Sequence, residues 1–134
     1  MRTATLVALL ALTFAGCQQN SGPVTVPLQG SLLMNGQPLE VKGREIGLGQ
    51  VALEFIPADD TGPAPQVFGV KADTAGKFAF AGGIKPGKYK VAVYQWDPYP
   101  NVDRLQGAYS KERTTIVREV DGKSPIDIDL AKLQ

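Results

Sequence analysis

The chain has 134 residues, with 14 lysines and arginines, 13 aspartates and glutamates and no histidine, which gives a formal net charge of +1. This length suits one domain with a single core, and scattered, balanced charge argues against nucleic-acid binding, which normally needs a basic stripe. The lack of histidine removes the usual general base and the commonest metal ligand, so we expect no enzyme, no metal and no cofactor.

Residues 1–16 have the plan of a secretory signal peptide. A basic start, Met1-Arg2, precedes the apolar run ATLVALLALTF and two small residues, Ala15 and Gly16. The apolar run is well short of the roughly 20 residues that a transmembrane helix needs. A buried N-terminal helix is the weaker interpretation, because the sequence turns polar at once in CQQNSGP.

The only cysteine, Cys17, directly follows this segment. The junction resembles a bacterial lipobox, with Phe14 where leucine is usual. The resemblance implies cleavage between Gly16 and Cys17, diacylation of the sulfur and acylation of the new amine. Each buried methylene contributes about 0.8 kcal/mol, so two or three acyl chains make a durable membrane anchor. A catalytic thiol needs cationic, folded surroundings and a disulfide needs a second cysteine, and this sequence offers neither.

Residues 17–23 are expected to form a flexible, lipidated tether, and residues 24–134 the folded domain. Cleavage removes Arg2, one of the 14 basic residues, which leaves 13 against 13 acidic ones. Gln18 stands where an aspartate retains lipoproteins at the inner membrane in well-studied bacteria. We therefore expect a lipid-anchored protein of the cell envelope, with the outer membrane favoured, facing the periplasm or the surface.

Apolar residues then alternate with polar ones in seven short segments, separated by turn signals such as Asn35-Gly36. The predicted strands lie at 24–34, 51–57, 67–72, 77–80, 88–94, 114–120 and 126–130. In the first of them, Val24 falls on the same side as Leu28 and Leu32. This pattern predicts an all-β fold, an antiparallel seven-stranded β-sandwich, and leaves a β-barrel of similar strand count as an alternative.

Two long irregular segments, EVKGREIGLG and QWDPYPNVDRLQGAYSKER, interrupt the strands, and such loops often carry function. Continued alternation points Tyr94 and Trp96 away from the predicted core face, and Tyr99 follows in a proline-rich loop. Displayed rings could bind a partner or a sugar through apolar contacts. The favoured interpretation is that the loop folds back and buries Trp96 in a second small cluster, because large rings are more often buried.

Charged residues beside these segments have simple structural explanations. Asp73 opens the turn DTAG, where an aspartate bonds to backbone amides; a calcium ligand is the weaker alternative, because no acidic loop accompanies it. Asp59 and Asp60 are expected to be solvated turn residues rather than an acid/base pair. The nearby cations Arg104, Lys111 and Arg113 could meet an anionic ligand, but a solvated charged face is the simpler expectation.

The segments GSLLMNGQPL, VALEFIP, KADTAGKFAF, KPGKYKVAV and IDIDL occur in the order seen in carboxypeptidase regulatory-like domains. These are transthyretin-like (prealbumin-like) β-sandwiches with Ig-like Greek-key connections, and the whole chain resembles small lipoproteins of this type common in planctomycete bacteria. The segment EVKGREIGLGQ is an insertion relative to that pattern. The resemblance implies a non-catalytic accessory or adhesive module. The purine-pathway hydrolases of that superfamily rely on histidines, which this chain lacks.

These observations favour a structural or accessory lipoprotein that binds other envelope proteins. A carbohydrate- or cell-wall-binding module that uses Tyr94, Trp96 and Tyr99 is the alternative. A hydrolase without histidine is a distant third, which paired buried carboxylates in a pocket would revive.

Overall fold

The computed structural model describes residue 22 and residues 24–133. The predicted signal peptide and the predicted lipidation site, Cys17, lie outside these residues. The described part of the chain forms eight strands, together with a 3-10 turn at Leu130–Lys132. The strands are β1 (Val26–Met34), β2 (Gln37–Pro38), β3 (Gln50–Pro57), β4 (Phe68–Ala72), β5 (Lys77–Ile84), β6 (Gly87–Trp96), β7 (Val117–Val120) and β8 (Ile126–Asp129).

The strands form two sheets. In the first, β1 pairs antiparallel with β2 and β5 and parallel with β8. The second has the order β4-β3-β6-β7, and all its pairings are antiparallel. Buried residues of both sheets share one hydrophobic core, which is the arrangement of a β-sandwich.

Each of the seven predicted strands is present, but the count of seven is not confirmed, because the described residues hold an eighth strand, β2. The parallel pairing of β8 with β1 also departs from a wholly antiparallel sandwich. Val24, expected to face inward, is 72% exposed. The last residue of β5, Ile84, already pairs with Val26, so Val24 lies beyond the end of the neighbouring strand.

The core follows the predicted alternation. From β3, Leu53 and Phe55 are fully buried, and from β6 their register partners Val93 and Val91 are fully buried as well. The Phe55 ring centroid lies 5.9 Å from that of Phe78 on β5 of the opposite sheet, so aromatic contacts join the two layers.

The strand register defines two ends of the sandwich. At the first, called the entry end, Val26 pairs with Ile84, and the chain turns through Lys85-Pro86 into the start of β6. At the opposite end, called the loop end, Trp96 closes β6 and pairs with Gln50. Both long irregular segments of the sequence are reached from the loop end.

Two turns at the loop end have the conformations that their sequences predict. Asn35 and Gly36 both have positive φ, at 53° and 74°, as a tight hairpin turn requires. Asp73 accepts hydrogen bonds from the amides of Ala75 and Lys77 at 2.9 and 2.8 Å, which confirms its predicted role as a turn residue.

Candidate binding surface

Tyr94 and Trp96 lie on the face of β6 that points away from the core. Their register partners on β3 are Ala52 and Gln50. The two rings stack with centroids 5.3 Å apart and planes 10° apart. Ala52 has only a methyl group beside Tyr94, so the rings have room to lie against each other.

Tyr99 completes this group, which we call the aromatic cluster (Tyr94, Trp96, Tyr99). Its ring meets that of Trp96 edge to face, with centroids 6.1 Å apart and planes 86° apart. Tyr99 is 48% exposed, whereas Tyr94 and Trp96 are half-buried. The structure therefore places the three predicted residues together, in a cluster separate from the main core. Trp96 is half-buried in a second small cluster, as the favoured interpretation expected, although it is not fully buried.

Hydrogen bonds join the two long loops around this cluster. The amide of Tyr99 donates to the carbonyl of Leu48. The Lys42 amide donates to a carboxylate oxygen of Asp97 at 3.1 Å, and the Gln95 side-chain amide donates to the Glu40 carbonyl at 2.7 Å. Residues distant in sequence are thereby held at one end of the sandwich.

Aliphatic side chains on these loops are left in solvent. Ile46 is 73% exposed, Leu48 50% and Val102 40%. Ile46 and Leu48 lie in the first long loop, and Val102 lies in the second. The Leu48 carbonyl accepts the Tyr99 amide, which joins the two loops, and the Val102 carbonyl accepts the Asp97 amide within the second loop. We call Ile46, Leu48 and Tyr99 the apolar loop surface. Sequence reasoning missed Ile46 and Leu48; the only signal was two large aliphatic residues in a glycine-rich loop, REIGLG.

The segment after Tyr99 is fixed along the part of β6 that β7 leaves unpaired. One carboxylate oxygen of Asp103 accepts the amides of Gln95 and Leu105, both at 3.0 Å, and the other accepts the Gly107 amide at 3.0 Å. Further along, the Val93 amide donates to the Tyr109 carbonyl at 2.9 Å. A stretch without strand periodicity is thus ordered by side-chain and backbone hydrogen bonds, and it supports the aromatic cluster.

The surroundings of Tyr94 keep its phenol neutral. Desolvation raises the pKa of Tyr94 above its usual value, and the nearby carboxylates Glu54, Glu112 and Asp103 raise it further. The amide of Lys111 donates to the Tyr94 oxygen at 3.2 Å, which acts in the opposite direction. Tyr94 is therefore a neutral hydrogen-bonding group at neutral pH.

The cations near the cluster do not converge. Arg104, Lys111 and Arg113 are all exposed, and Lys111 lies 3.9 Å from the carboxylate of Glu112. An open depression of about 350 Å³ at the loop end has charges of both signs; it is lined by Glu40, Lys42, Gln95, Asp97 and Arg104. The surroundings of the aromatic cluster are thus mixed in charge rather than suited to an anion.

A second open depression, of about 320 Å³, lies at the entry end and is lined in part by Asp59 and Asp60. Asp60 accepts hydrogen bonds from the amides of Gly62 and Gln66, as a turn residue does. Within residues 22 and 24–133, no three metal-ligating side chains are grouped to hold an ion. No helix in the described part of the chain is long and apolar enough to cross a membrane.

Comparison with protein-family models, with curated proteins and with solved structures found no match to this chain.

Proposed function

We propose that this chain is a lipid-anchored lipoprotein of the cell envelope whose β-sandwich is a non-catalytic module for binding other envelope proteins. In this proposal Cys17 carries the acyl chains in the outer membrane, and the domain is carboxypeptidase regulatory-like, with transthyretin-like Greek-key connections. One observation supports the binding role most strongly. The two long loops are joined around Tyr99 in a way that leaves Ile46 and Leu48 in solvent.

The geometry favours a protein partner over a sugar. Sugars are bound best by ring faces that lie open to solvent, and the stacked arrangement uses one face of Tyr94 and one face of Trp96 against each other. The most exposed apolar groups are instead aliphatic side chains beside one tyrosine edge. An apolar centre that includes a tyrosine, with polar groups around it, is typical of protein interfaces.

Site-specific photocrosslinking tests this proposal. A photoreactive amino acid at position 48 of the full chain, expressed in its own cells, should crosslink to one envelope protein. The same group at position 67 is the matched control. Val67 is 42% exposed, close to the exposure of Leu48, but it lies near the entry-end depression and away from the apolar loop surface. Crosslinking at 48 that is lost with Tyr99→Ala and absent at 67 would support the proposal. Equal crosslinking at both positions, or none at 48, would contradict it.

A carbohydrate-binding role through Tyr94, Trp96 and Tyr99 is the second candidate. The observation in its favour is that the three rings form one group, with Tyr99 48% exposed at its end. Trp96 is the only tryptophan, so its fluorescence reports on this place alone. A saturable change with peptidoglycan fragments or envelope polysaccharides would favour this role, and no change with any glycan would remove it.

A further inference from the structure

We propose that two copies of this chain pair through the free edges of β5 and so join their first sheets into one continuous sheet. This dimer goes beyond the binding role proposed above and depends neither on the anchor nor on the apolar loop surface. Within the described residues, β5 ends its sheet and pairs with β1 alone. It has 8 residues and is the longest strand with a single partner strand, since β4 has 5 and β7 and β8 have 4 each.

The register against β1 shows which backbone groups of β5 are unpaired. The amide of Leu32 donates to the Gly76 carbonyl, so the even-numbered residues that follow in β5 bond to β1. Hydrogen-bonding direction alternates along a strand, and the odd-numbered residues therefore turn their amides and carbonyls outward. The outward carbonyl of Lys77 is used in the turn before β5. At Ala79 and Ala81, none of the described residues bonds to these groups.

The exposed edge of β5 also lacks charge. Charged side chains within an edge strand discourage pairing with another chain. The other outer strands all contain them: Lys71 in β4, Arg118 and Glu119 in β7, and Asp127 and Asp129 in β8. In β5 the only charge is at its first residue, Lys77, and the segment FAFAGGI that follows has none. Among these edges, that of β5 is the one that a second strand can meet without desolvating a charge.

A second copy of β5 fits this edge in one antiparallel register. The register that uses all the free groups pairs Ala79 with Ala81 of the second copy, and Ala81 with its Ala79. Each of these pairs exchanges two hydrogen bonds, and the methyl side chains leave room for the approach. Lys77 then lies beside Gly83 of the second copy, so the two lysines are at opposite ends of the paired segment and do not repel each other.

The same register covers Phe80. The two-fold axis passes between the two copies of this residue, which form a pair without hydrogen bonds, with Cα atoms about 4.5 Å apart. In one copy alone Phe80 is only half-buried, and its ring centroid lies 6.2 Å from that of Phe68 on β4 of the other sheet. Contact between the two Phe80 rings removes apolar surface from water, which adds to the backbone hydrogen bonds.

Disulfide crosslinking in the cells that make the protein tests this register. Ala79→Cys and Ala81→Cys are placed on differently tagged copies, and copper phenanthroline is the oxidant. The proposed pair has Cα atoms about 5.5 Å apart, within the range of about 4.4–6.8 Å that a disulfide spans, whereas two copies of position 79 are about 7–8 Å apart. Both alanines are exposed, so the substitutions leave the core intact.

Two controls accompany this measurement. The native chain, whose only cysteine is Cys17, shows any disulfide formed through that residue. Gly69→Cys mixed with Ala81→Cys shows random collision between edges, because Gly69 is exposed on β4 and a side-chain carbon there meets nothing within 4 Å. We expect the mixed Ala79→Cys and Ala81→Cys copies to give several-fold more crosslinked dimer than either variant alone and than both controls. Equal yields, or disulfides to a different protein in place of the dimer, would overturn the proposal.

Amide hydrogen exchange of the native chain is an independent measurement that needs no substitution. The chain is purified from its own cells in detergent and compared at two concentrations. The amides of Phe78 and Phe80 should be protected at both, because they bond to β1, and those of Ala79 and Ala81 should be protected at the higher concentration. Rapid exchange at Ala79 and Ala81 at both concentrations would overturn the proposal.

Discussion

Tyr94 and Trp96 stack face to face with centroids 5.3 Å apart, on the side of β6 that is turned away from the core. Residues two apart on a strand share a face, so the alternation that buries Val91 and Val93 also places these rings side by side. The same pattern thus builds the core on one face and the aromatic cluster on the other.

A double-mutant cycle should detect this contact. We expect Tyr94→Ala and Trp96→Ala to show a coupling of about 0.5–1.5 kcal/mol in the free energy of unfolding, as stacked rings usually do. The cycle of Tyr94 with Tyr99 is the matched control, since the ring of Tyr99 contacts that of Trp96 and no contact with the Tyr94 ring is found among the described residues. Chemical denaturation measures both. Coupling near zero for Tyr94 and Trp96, or equal coupling in the two cycles, would show that the stacking does not stabilise the fold.

The strands could be predicted because their signal is local. In β3 and β6, alternate residues face the core, so the apolar pattern directly reports burial. The pattern misled at Val24, where alternation continues after the partner strand has ended, and it gave no signal for β2, whose two residues are too few to show a period. The parallel pairing of β8 depends on tertiary arrangement, which alternation does not encode.

The aromatic cluster and the apolar loop surface could be predicted from the sequence only in part. Ring chemistry and strand phase were sufficient to select Tyr94, Trp96 and Tyr99. Ile46 and Leu48 lie in a loop that contacts Tyr99, which is distant in sequence, and alternation gives no signal for such a contact. The order of the segment after Tyr99 likewise comes from backbone hydrogen bonds and from the Asp103 carboxylate, and such bonds leave no periodic trace in the sequence.

Removing that carboxylate, Asp103, should loosen the loop end. It accepts three amide hydrogen bonds, two on one oxygen and one on the other. Bonds to a charged group contribute about 1.5–3 kcal/mol each and are not additive, so we expect Asp103→Ala to lower the free energy of unfolding by about 3 kcal/mol. Asp103→Asn should lose less, because one oxygen remains. The exposed Asp59→Ala is the control, and an equal small effect of all three variants in urea denaturation would contradict this account.

Two strand glycines should respond oppositely to alanine. A side-chain carbon at Gly30 would lie 1.9 Å from the Ile126 carbonyl oxygen and 2.7 Å from the Phe78 ring, whereas at Gly69 nothing lies within 4 Å. Overpacking of this kind costs about 1–3 kcal/mol, so Gly30→Ala should unfold at clearly lower temperature. Gly69→Ala should be neutral or slightly stabilising, because glycine is unfavourable within strands. Thermal unfolding of the two variants compares them directly. Similar melting temperatures would mean that β1 and β8 are less closely packed than the structure shows.

Asp129 should make the stability of the fold depend on pH in the acid range. Its carboxylate accepts the amides of Asn35, Gly36 and Ala131, at 2.9, 2.9 and 3.1 Å, and so joins β8 to the turn after β1. Desolvation acts to raise the pKa of Asp129, but these hydrogen bonds together with Lys132 outweigh it and hold the pKa below 3.8.

Because the folded pKa lies below the unfolded one, this contribution is fully present above about pH 4, the usual value for an unfolded aspartate. It is lost as the pH falls through the folded value. We therefore expect Asp129→Asn to be less stable than the native chain at pH 7, with the difference shrinking as the pH falls below 3.8. Urea denaturation across this range measures it. Lys132→Ala separates the two causes: Lys132 is mostly exposed and 4.0 Å from the carboxylate, so its removal should have little effect. If it reproduced the Asp129→Asn profile, the ion pair rather than the amide bonds would be the source of the pH dependence.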